Sequence, residues 1–296
     1  MTLSMNPASM PSSYSARWAA CALILMLSAC ARVPEPRLFP EAPNDITVRT
    51  DALLPADVVL LGEQHDAAEH QHIHQHVVAR LAVDGKLAAL ALEMADAGRS
   101  TAALKSNSTQ LQVQQALGWN SKSWSWAAYG PAVMVAVKAG VPVLGANLPA
   151  AQMRAAMADT QLDTRLPGPA LKAQQQLIRA GHCDLLPESQ ISPMTRVQVA
   201  RDISMARTIQ QAALPGKTVV LLAGSVHVNR GLGVPRHLPQ GMTVKAVLLR
   251  AGSPPPVEPG AGEGSSQSPA FDVVWTTPAV PEKDYCAELK DRFKPS

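Results

Sequence analysis

The chain has no cluster of lysine and arginine with aromatic residues set among them, and its 26 basic and 23 acidic side chains leave a formal net charge of +3 over 296 residues. A nucleic-acid partner is therefore not expected, because binding a phosphate backbone needs a concentrated basic face. Also missing are the spacings of a zinc finger, an H-E-x-x-H helix, a G-x-S-x-G elbow and a Walker A loop. Cysteine is scarce, with four in all. The apolar run near the start, "WAACALILML", is too short to cross a bilayer.

What is present at the start has the plan of an export signal: Arg17, then that apolar run, then small residues and a cut. Leu27, Ser28, Ala29 and Cys30 resemble the bacterial lipobox. Residues 1–29 are thus expected to be a lipoprotein signal peptide, with Cys30 lipidated and first in the mature chain; the alternative is an ordinary signal cut near Ala29. Ala31, where an aspartate would argue otherwise, favours the outer membrane facing the periplasm by lipoprotein sorting convention. Several acyl chains would hold the protein at a membrane surface where one alone would not. Export also permits disulfides, and after Cys30 only Cys183 and Cys286 remain. They could pair, closing a loop worth roughly 4.7 kcal/mol in the chain-entropy model, or stay as two buried thiols.

Residues 30–52 carry four prolines and little periodicity, which predicts a tether. Residues 53–296 then read as a single α/β domain. "DVVLLGE" is a buried strand by pattern, "AEHQHIHQHVVARLAVDG" a helix closed by Gly85, and "LAALALE" a second strand ending on Glu93. A helix is predicted over about 98–117 and another over "WSWAAYGPAVMVAVKAG", with "VPVLGAN" and "TVVLLAGS" as the third and fourth strands. This alternation predicts a mostly parallel sheet flanked by helices on both faces. The stretch of about 149–213 is too long for a simple crossover and reads as a helical subdomain between the third and fourth strands. A Pro/Gly/Ser insert at about 252–268 reads as a disordered loop, and "FDVVWTT" as a final strand, drawn here as an antiparallel edge.

In open α/β sheets, ligands sit at the carboxyl ends of the strands. Here those ends carry Glu63 and His65, then Glu93, then Asn147, then Ser225 and His227. Glu63 and His65, two residues apart, suit a shared cation or an acid orienting an imidazole. On the following helix, His70 with His74 and His72 with His76 are i,i+4 pairs on nearly opposite faces, so the four cannot share one ion. His72, His74 and His76 read as solvated surface; His70, in the first turn, is divided between pocket and surface. The rim as a whole reads as a metal or ligand site, or as a satisfied polar network that closes the sheet.

"VVLLGEQHD", "ALALEM", "VPVLGANLP", "GHCDLLP", "VQVARDISMA" and "VVLLAGSVHVNRGLGVPRHL", spanning residues 58–238, resemble in order and spacing the ChaN family of bacterial lipoproteins, haem-binding proteins of iron uptake within the wider Tiki/TraB superfamily. On that resemblance Gly62, Glu63 and His65, Glu93 with Met94, His182 with Cys183, Arg201 with Asp202, and Gly224 with His227 stand at the family's motif positions, with His70 as a later histidine. Ser225 and Val226 depart from the Asn-Gly often found before the last histidine, so the turn presenting His227 is expected to differ locally. The resemblance implies haem as ligand, bound through a tyrosine and stacked between two subunits in the best-known member. Of the mature tyrosines, Tyr129 lies in a matching block and is the candidate, set against a core tyrosine with a satisfied hydroxyl; Tyr285 is the other. A homodimer and an outer-membrane haem or iron receptor are the partners implied. Superfamily relatives include metal-dependent hydrolases, so the alternative is an enzyme holding a divalent metal ion through Glu63, His65 and His227. Arg201 or Asp202 could pair with a ligand carboxylate, orient His182, or form an internal salt bridge.

Overall fold

The computed structural model describes residues 44–253 and 270–292. The signal peptide, Cys30 with its lipid, most of the tether and nearly all of the Pro/Gly/Ser insert lie outside the described residues. In chain order the elements are α1 (Asn44–Asp51), β1 (Val58–Glu63), α2 (Ala68–Val83), β2 (Leu87–Asp96), α3 (Gln110–Leu117), α4 (Trp126–Lys138) and β3 (Val143–Asn147). There follow α5 (Met153–Ala158), α6 (Gly168–Gly181), α7 (Glu188–Ala212), β4 (Thr218–Gly224), α8 (Ser225–Val228), β5 (Val244–Ala251), β6 (Val273–Thr277) and α9 (Tyr285–Arg292).

The six strands form one parallel sheet in the order β3-β2-β4-β1-β5-β6. Alternation along each strand sorts its side chains between two cores. Val59, Leu61, Leu90, Leu92, Val220 and Leu222 face the layer of α1, α2 and α4. Val58, Leu60, Ala89, Ala91, Val219 and Leu221 face Met205 and Ile209 of α7. Both faces of β1 and β4 are covered, which is why their sequences read as unbroken apolar runs rather than alternating ones. Between β3 and β4, α5, α6 and the first half of α7 gather a smaller core of their own from Leu148, Leu162, Leu166, Val197 and Val199.

Three expectations are corrected. The final strand is parallel, with Val247 opposite Val273 and Ala251 opposite Thr277; about twenty residues separate it from β5, enough chain to return to the starting edge as a parallel crossover requires. The tether stops short of residue 52, because α1 buries Ile46 and Thr50, with Leu53 behind them, at i, i+4, i+7 spacing. The predicted helix over 98–117 is only its last two turns. Thr109 caps α3 through a reciprocal box with Gln112, while β2 runs on to Asp96.

The sheet's carboxyl edge is built by close backbone approach. A Cβ on Gly62 would stand 2.2 Å from Val228 Cγ2 and 3.1 Å from Ser225 Cα, so α8 can seat against β1 only over a glycine. Gly62→Ala should therefore cost about 1–3 kcal/mol through overpacking, read as a lower urea midpoint with an unchanged slope.

Candidate functional site

Glu63 is the last residue of β1 and only 2% exposed. Its Oε1 accepts hydrogen bonds from the Tyr129 hydroxyl at 2.5 Å and from His65 Nδ1 at 2.7 Å. Its Oε2 accepts from Gln71 Nε2 at 3.4 Å and faces His74 Nδ1 at 3.6 Å. Burial pushes the Glu63 carboxyl up, but the His65 hydrogen bond, with His74 and Tyr129, outweighs it and holds the group below its usual range. Glu63 is thus an anion whose lone pairs are spent on its own neighbours.

His65 stands on the loop after β1 with its side chain 41% exposed, its ring edge-to-face with Trp124 at 4.9 Å between centroids. Burial would lower its pKa; the hydrogen bond to Glu63 and the charge of Glu93 raise it instead. His65 Nε2 lies 3.9 Å from Glu93 Oε2, and the Glu93 carboxylate continues the line inward. Glu93 accepts from the Gly224 amide at 2.7 Å and lies 3.4 Å from His227 Nε2, whose Nδ1 donates to Asp202 at 2.5 Å. The ends of β1, β2 and β4 therefore bring Glu63, His65, Glu93 and His227 into one continuous row, as the strand-end argument expects.

Charge along the row is divided unequally. Burial opposes the charged form of all three inner groups. For His227 the charges of Glu93 and Asp202 overcome it and raise the imidazole to about 10. For Glu93, His227, His65 and the Gly224 amide overcome it and lower the carboxyl to about 2. Asp202 is the weaker acid: burial wins over His227 and lifts it to about 6. Two acids share one imidazolium, and Glu93 keeps its charge. With a carboxylate at each ring nitrogen, His227 offers no lone pair. Among the described residues no three His, Cys, Asp or Glu side chains are arranged to hold a metal ion, and the metal set of Glu63, His65 and His227 has no physical support here.

The other sequence candidates fall in different places. His70 is fully buried; its Nδ1 accepts from the Gln64 amide at 3.0 Å and its Nε2 reaches Thr277 Oγ1 at 3.1 Å, so it pins the loop after β1 to β6. Burial lowers its pKa, consistent with a neutral ring. Asp202 orients His227 rather than His182, and its partner is an imidazole, not Arg201. Arg201 has a buried Nε without a hydrogen-bond partner, and the internal ion pair that joins the helical segment to the sheet's edge is made by Asp202 with His227. Tyr129 is 2% exposed and its proton is held by Glu63; burial, and next the Glu63 charge, drive its pKa up, which opposes a tyrosinate. The structure gives Tyr129 the part of a core tyrosine that fixes Glu63.

His182 is the C-cap of α6, half-buried, and its Nδ1 donates to the Ile178 carbonyl at 2.8 Å. In the neutral ring, that hydrogen bond leaves the Nε2 lone pair free. Cys183 beside it is disulfide-bonded to Cys286 on α9, which answers the question the two cysteines left open. The preceding residue, Tyr285, donates its hydroxyl to Asp66, next to His65. Gln198 and Asp202 on α7 both touch His227 at the row, so the ten residues from there back to Glu188 carry α7 about 15 Å further along its axis. The disulfide and Tyr285 join that far end to the loop carrying His65.

Sequence reading missed His74, Gln71, Gln198 and Trp124. His74 is 1% exposed, not solvated, with burial lowering its pKa to about 4 and no hydrogen-bond partner at either ring nitrogen. His70, Gln71 and His74 belong to the buried stripe of α2 with Val77, Val78 and Leu81, whereas His72 pairs at 3.5 Å with Glu69 on the exposed side. Gln198 precedes Asp202 by one helical turn, a spacing that could have flagged it.

Residues 50–238 match the family described as haem-binding uptake, Tiki superfamily, ChaN. Among solved structures, the chain is similar to ChaN of Campylobacter jejuni, described as binding haem cofacially, with 25% identity and a TM-score of 0.59 over 70% of this chain and 86% of that one. Weaker likenesses, each 14% identical with a TM-score of 0.40, are to the type III effector HopBA1, covering 83% of this chain and all of that one, and to a Bacillus cereus protein, covering 72% and 71%. No curated protein matches.

Proposed function

Since this chain belongs to the ChaN family of haem-binding uptake proteins in the Tiki superfamily, we propose that it binds haem at the carboxyl end of its sheet, in the space bounded by the row of Glu63, His65 and Glu93, the far end of the α6–α7 pair, and α9. The observation that carries this reading is the His182 ring. Its Nδ1 is committed to the Ile178 carbonyl, the arrangement that fixes tautomer and orientation in metal-bound histidines, and Nε2 is left to bind iron. The donor set fits the group: an imidazole lone pair on His182 and a half-exposed aromatic edge at Trp124 beside His65. Haem supplies the iron and its redox chemistry. The chain's residues bind and orient it, with Tyr129 and Gln71 holding Glu63, and Asp202 holding His227, so that the polar floor keeps its shape and charge.

The same reading takes Cys30 as a lipid anchor at the outer membrane, with uptake of haem or iron as the role, a haem-bridged homodimer as its assembly, and an outer-membrane receptor as its source. The disulfide supports an oxidising compartment, since such bonds persist outside the cytosol; the anchor itself rests on the lipobox in the sequence. Titration of the purified protein with haemin tests the reading. A saturable shift of the Soret band is expected, and a shift that merely tracks free haemin rejects it.

A further inference from the structure

From residue 97 to 158 the chain carries no Asp or Glu, while Arg99, Lys105, Lys122, Lys138 and Arg154 fall within that stretch. The stretch includes α3, α4 and the loops beside them. α4 is apolar on both of its sides. Tyr129, Ala132, Val133 and Ala136 face the core, and the outward positions Ala127, Pro131, Met134 and Lys138, at i, i+4, i+7 and i+11, carry a single charge at the end. A helix of this pattern is ordinarily buried all round, yet here Ala127 and Pro131 are exposed and Met134 is half-buried. Beside the stripe the Trp126 indole lies against Gly130, where a Cβ would stand 2.7 Å from it, and donates to Gln110 Oε1 at 2.8 Å. Leu111, next to Gln110 on α3, is 63% exposed. Trp126, Pro131 and Met134, with Gln75, Gln110 and Lys138, line a groove of about 350 Å³. Trp119 meets Trp126 edge-on at 5.0 Å, and its indole donates to the Trp124 carbonyl at 3.0 Å. Lys122 stands in the turn between Trp119 and Trp124, Lys138 at the far end of α4, and Arg99 beside Gly118. Arg99, Lys105, Lys122 and Lys138 are all exposed, and none takes part in an ion pair among the described residues.

We propose that the outer face of α3 and α4 is a membrane-docking surface, with Leu111, Trp126, Pro131 and Met134 against the acyl boundary and the surrounding cations on the phosphates of anionic phospholipids. The proposal goes beyond the haem-binding reading and does not rest on it. Charge complementarity selects the occupant: an exposed apolar patch marks a protein or a membrane partner, and an acid-free ring of cations around it suits an anionic bilayer, where each cation strengthens binding about fivefold. A second copy of the chain fits less well, because it would set the same four cations against one another, and like charges across an interface repel. Tryptophan suits the headgroup level, its ring in the apolar boundary and its N–H turned to a polar partner. No described helix is long and apolar enough to cross a membrane, so the contact lies on the surface. Thirteen residues separate Cys30 from Asn44, at most about 45 Å of chain, so a lipid on Cys30 would keep a bilayer within reach. Trp124 also meets the His65 ring, so the docked face adjoins the strand-end row.

The test is co-sedimentation of the chain from residue 31 with vesicles; no lipid then anchors it, and every described element begins at Asn44 or later. Vesicles of equal parts phosphatidylglycerol and phosphatidylcholine are compared with phosphatidylcholine alone, with circular dichroism to confirm that each variant is folded. Binding is expected on the anionic vesicles only, with a blue shift of tryptophan emission, and it should fade as salt rises from about 0.1 M to about 1 M and the screening length falls from about 10 Å to about 3 Å. Lys122→Gln with Lys138→Gln should weaken binding about twenty-five-fold, at about fivefold per cation. Leu111→Ser with Met134→Ser should reduce the blue shift. Lys172→Gln with Lys217→Gln, which removes the same charge from exposed positions elsewhere, should leave binding unchanged. Absence of binding, equal binding to neutral vesicles, or equal losses from the two lysine pairs overturns the proposal. A concentration-dependent dimer that Leu111→Ser with Met134→Ser disperses would give the face to a second copy and overturn it as well.

Discussion

His182→Ala should weaken haemin binding about a hundredfold, about 2.8 kcal/mol at 1.4 kcal/mol per tenfold, while the protein stays folded. The size follows from removing an imidazole whose Nδ1 is held by the Ile178 carbonyl so that Nε2 is left for iron, whereas His227 has a carboxylate at each nitrogen, His70 uses both of its own, and His65 stands between Glu63 at 2.7 Å and Glu93 at 3.9 Å. The stability cost should be about 1 kcal/mol, that of one half-buried hydrogen bond at a helix end. His182→Gln, which keeps a side chain able to bond the helix end but gives iron no imidazole, should bind as weakly as alanine. If both variants bind haemin as the wild type does, His182 does not hold the haem.

The second large effect is on the fold. Glu93→Ala should destabilise the protein by about 3–5 kcal/mol at neutral pH, the range for breaking a buried ion pair by deleting one partner. Two losses combine: His227 keeps Asp202 as its one acidic partner, and the Gly224 amide loses its acceptor. The pH dependence carries the signature. His227 is raised to about 10 in the folded protein from an ordinary value of 6.5, so its contribution is complete below 6.5 and fades as pH rises through 10. Wild-type stability should accordingly fall towards that of Glu93→Ala as pH climbs across this window, in urea titrations of both proteins. Parallel curves from pH 6.5 to 10 would mean that Glu93 does not hold His227 charged.

Much of the site was readable because parallel strands buried on both faces advertise themselves. The apolar runs ending at Glu63, Glu93 and Gly224 mark three adjacent strands of the sheet, and the polar residues directly after or at their ends had nowhere to go but the carboxyl edge. His74 was illegible for the opposite reason. A helix with histidine at every second position has no clear apolar stripe, so only the sheet beneath α2 decides that positions 70, 71 and 74 go inward and 72 outward. Tyr129 shows the limit of motif transfer: the resemblance made it a candidate ligand, but the partner that defines its chemistry, Glu63, lies 66 residues away in sequence. Nor does the spacing of Gln198 and Asp202 along α7 say which histidine they address; that depends on how the helical segment returns over the sheet.

The structure of the haemin-bound protein tests the location of the site most directly. Iron is expected within bonding distance of His182 Nε2, with the porphyrin beside His65 and α9. A cavity of about 550 Å³ opens at the other end of the strands, lined by Arg80, Lys86 and Lys217 together with Asp51 and Asp57. Haem seated there, with His182 Nε2 unligated, would contradict the account.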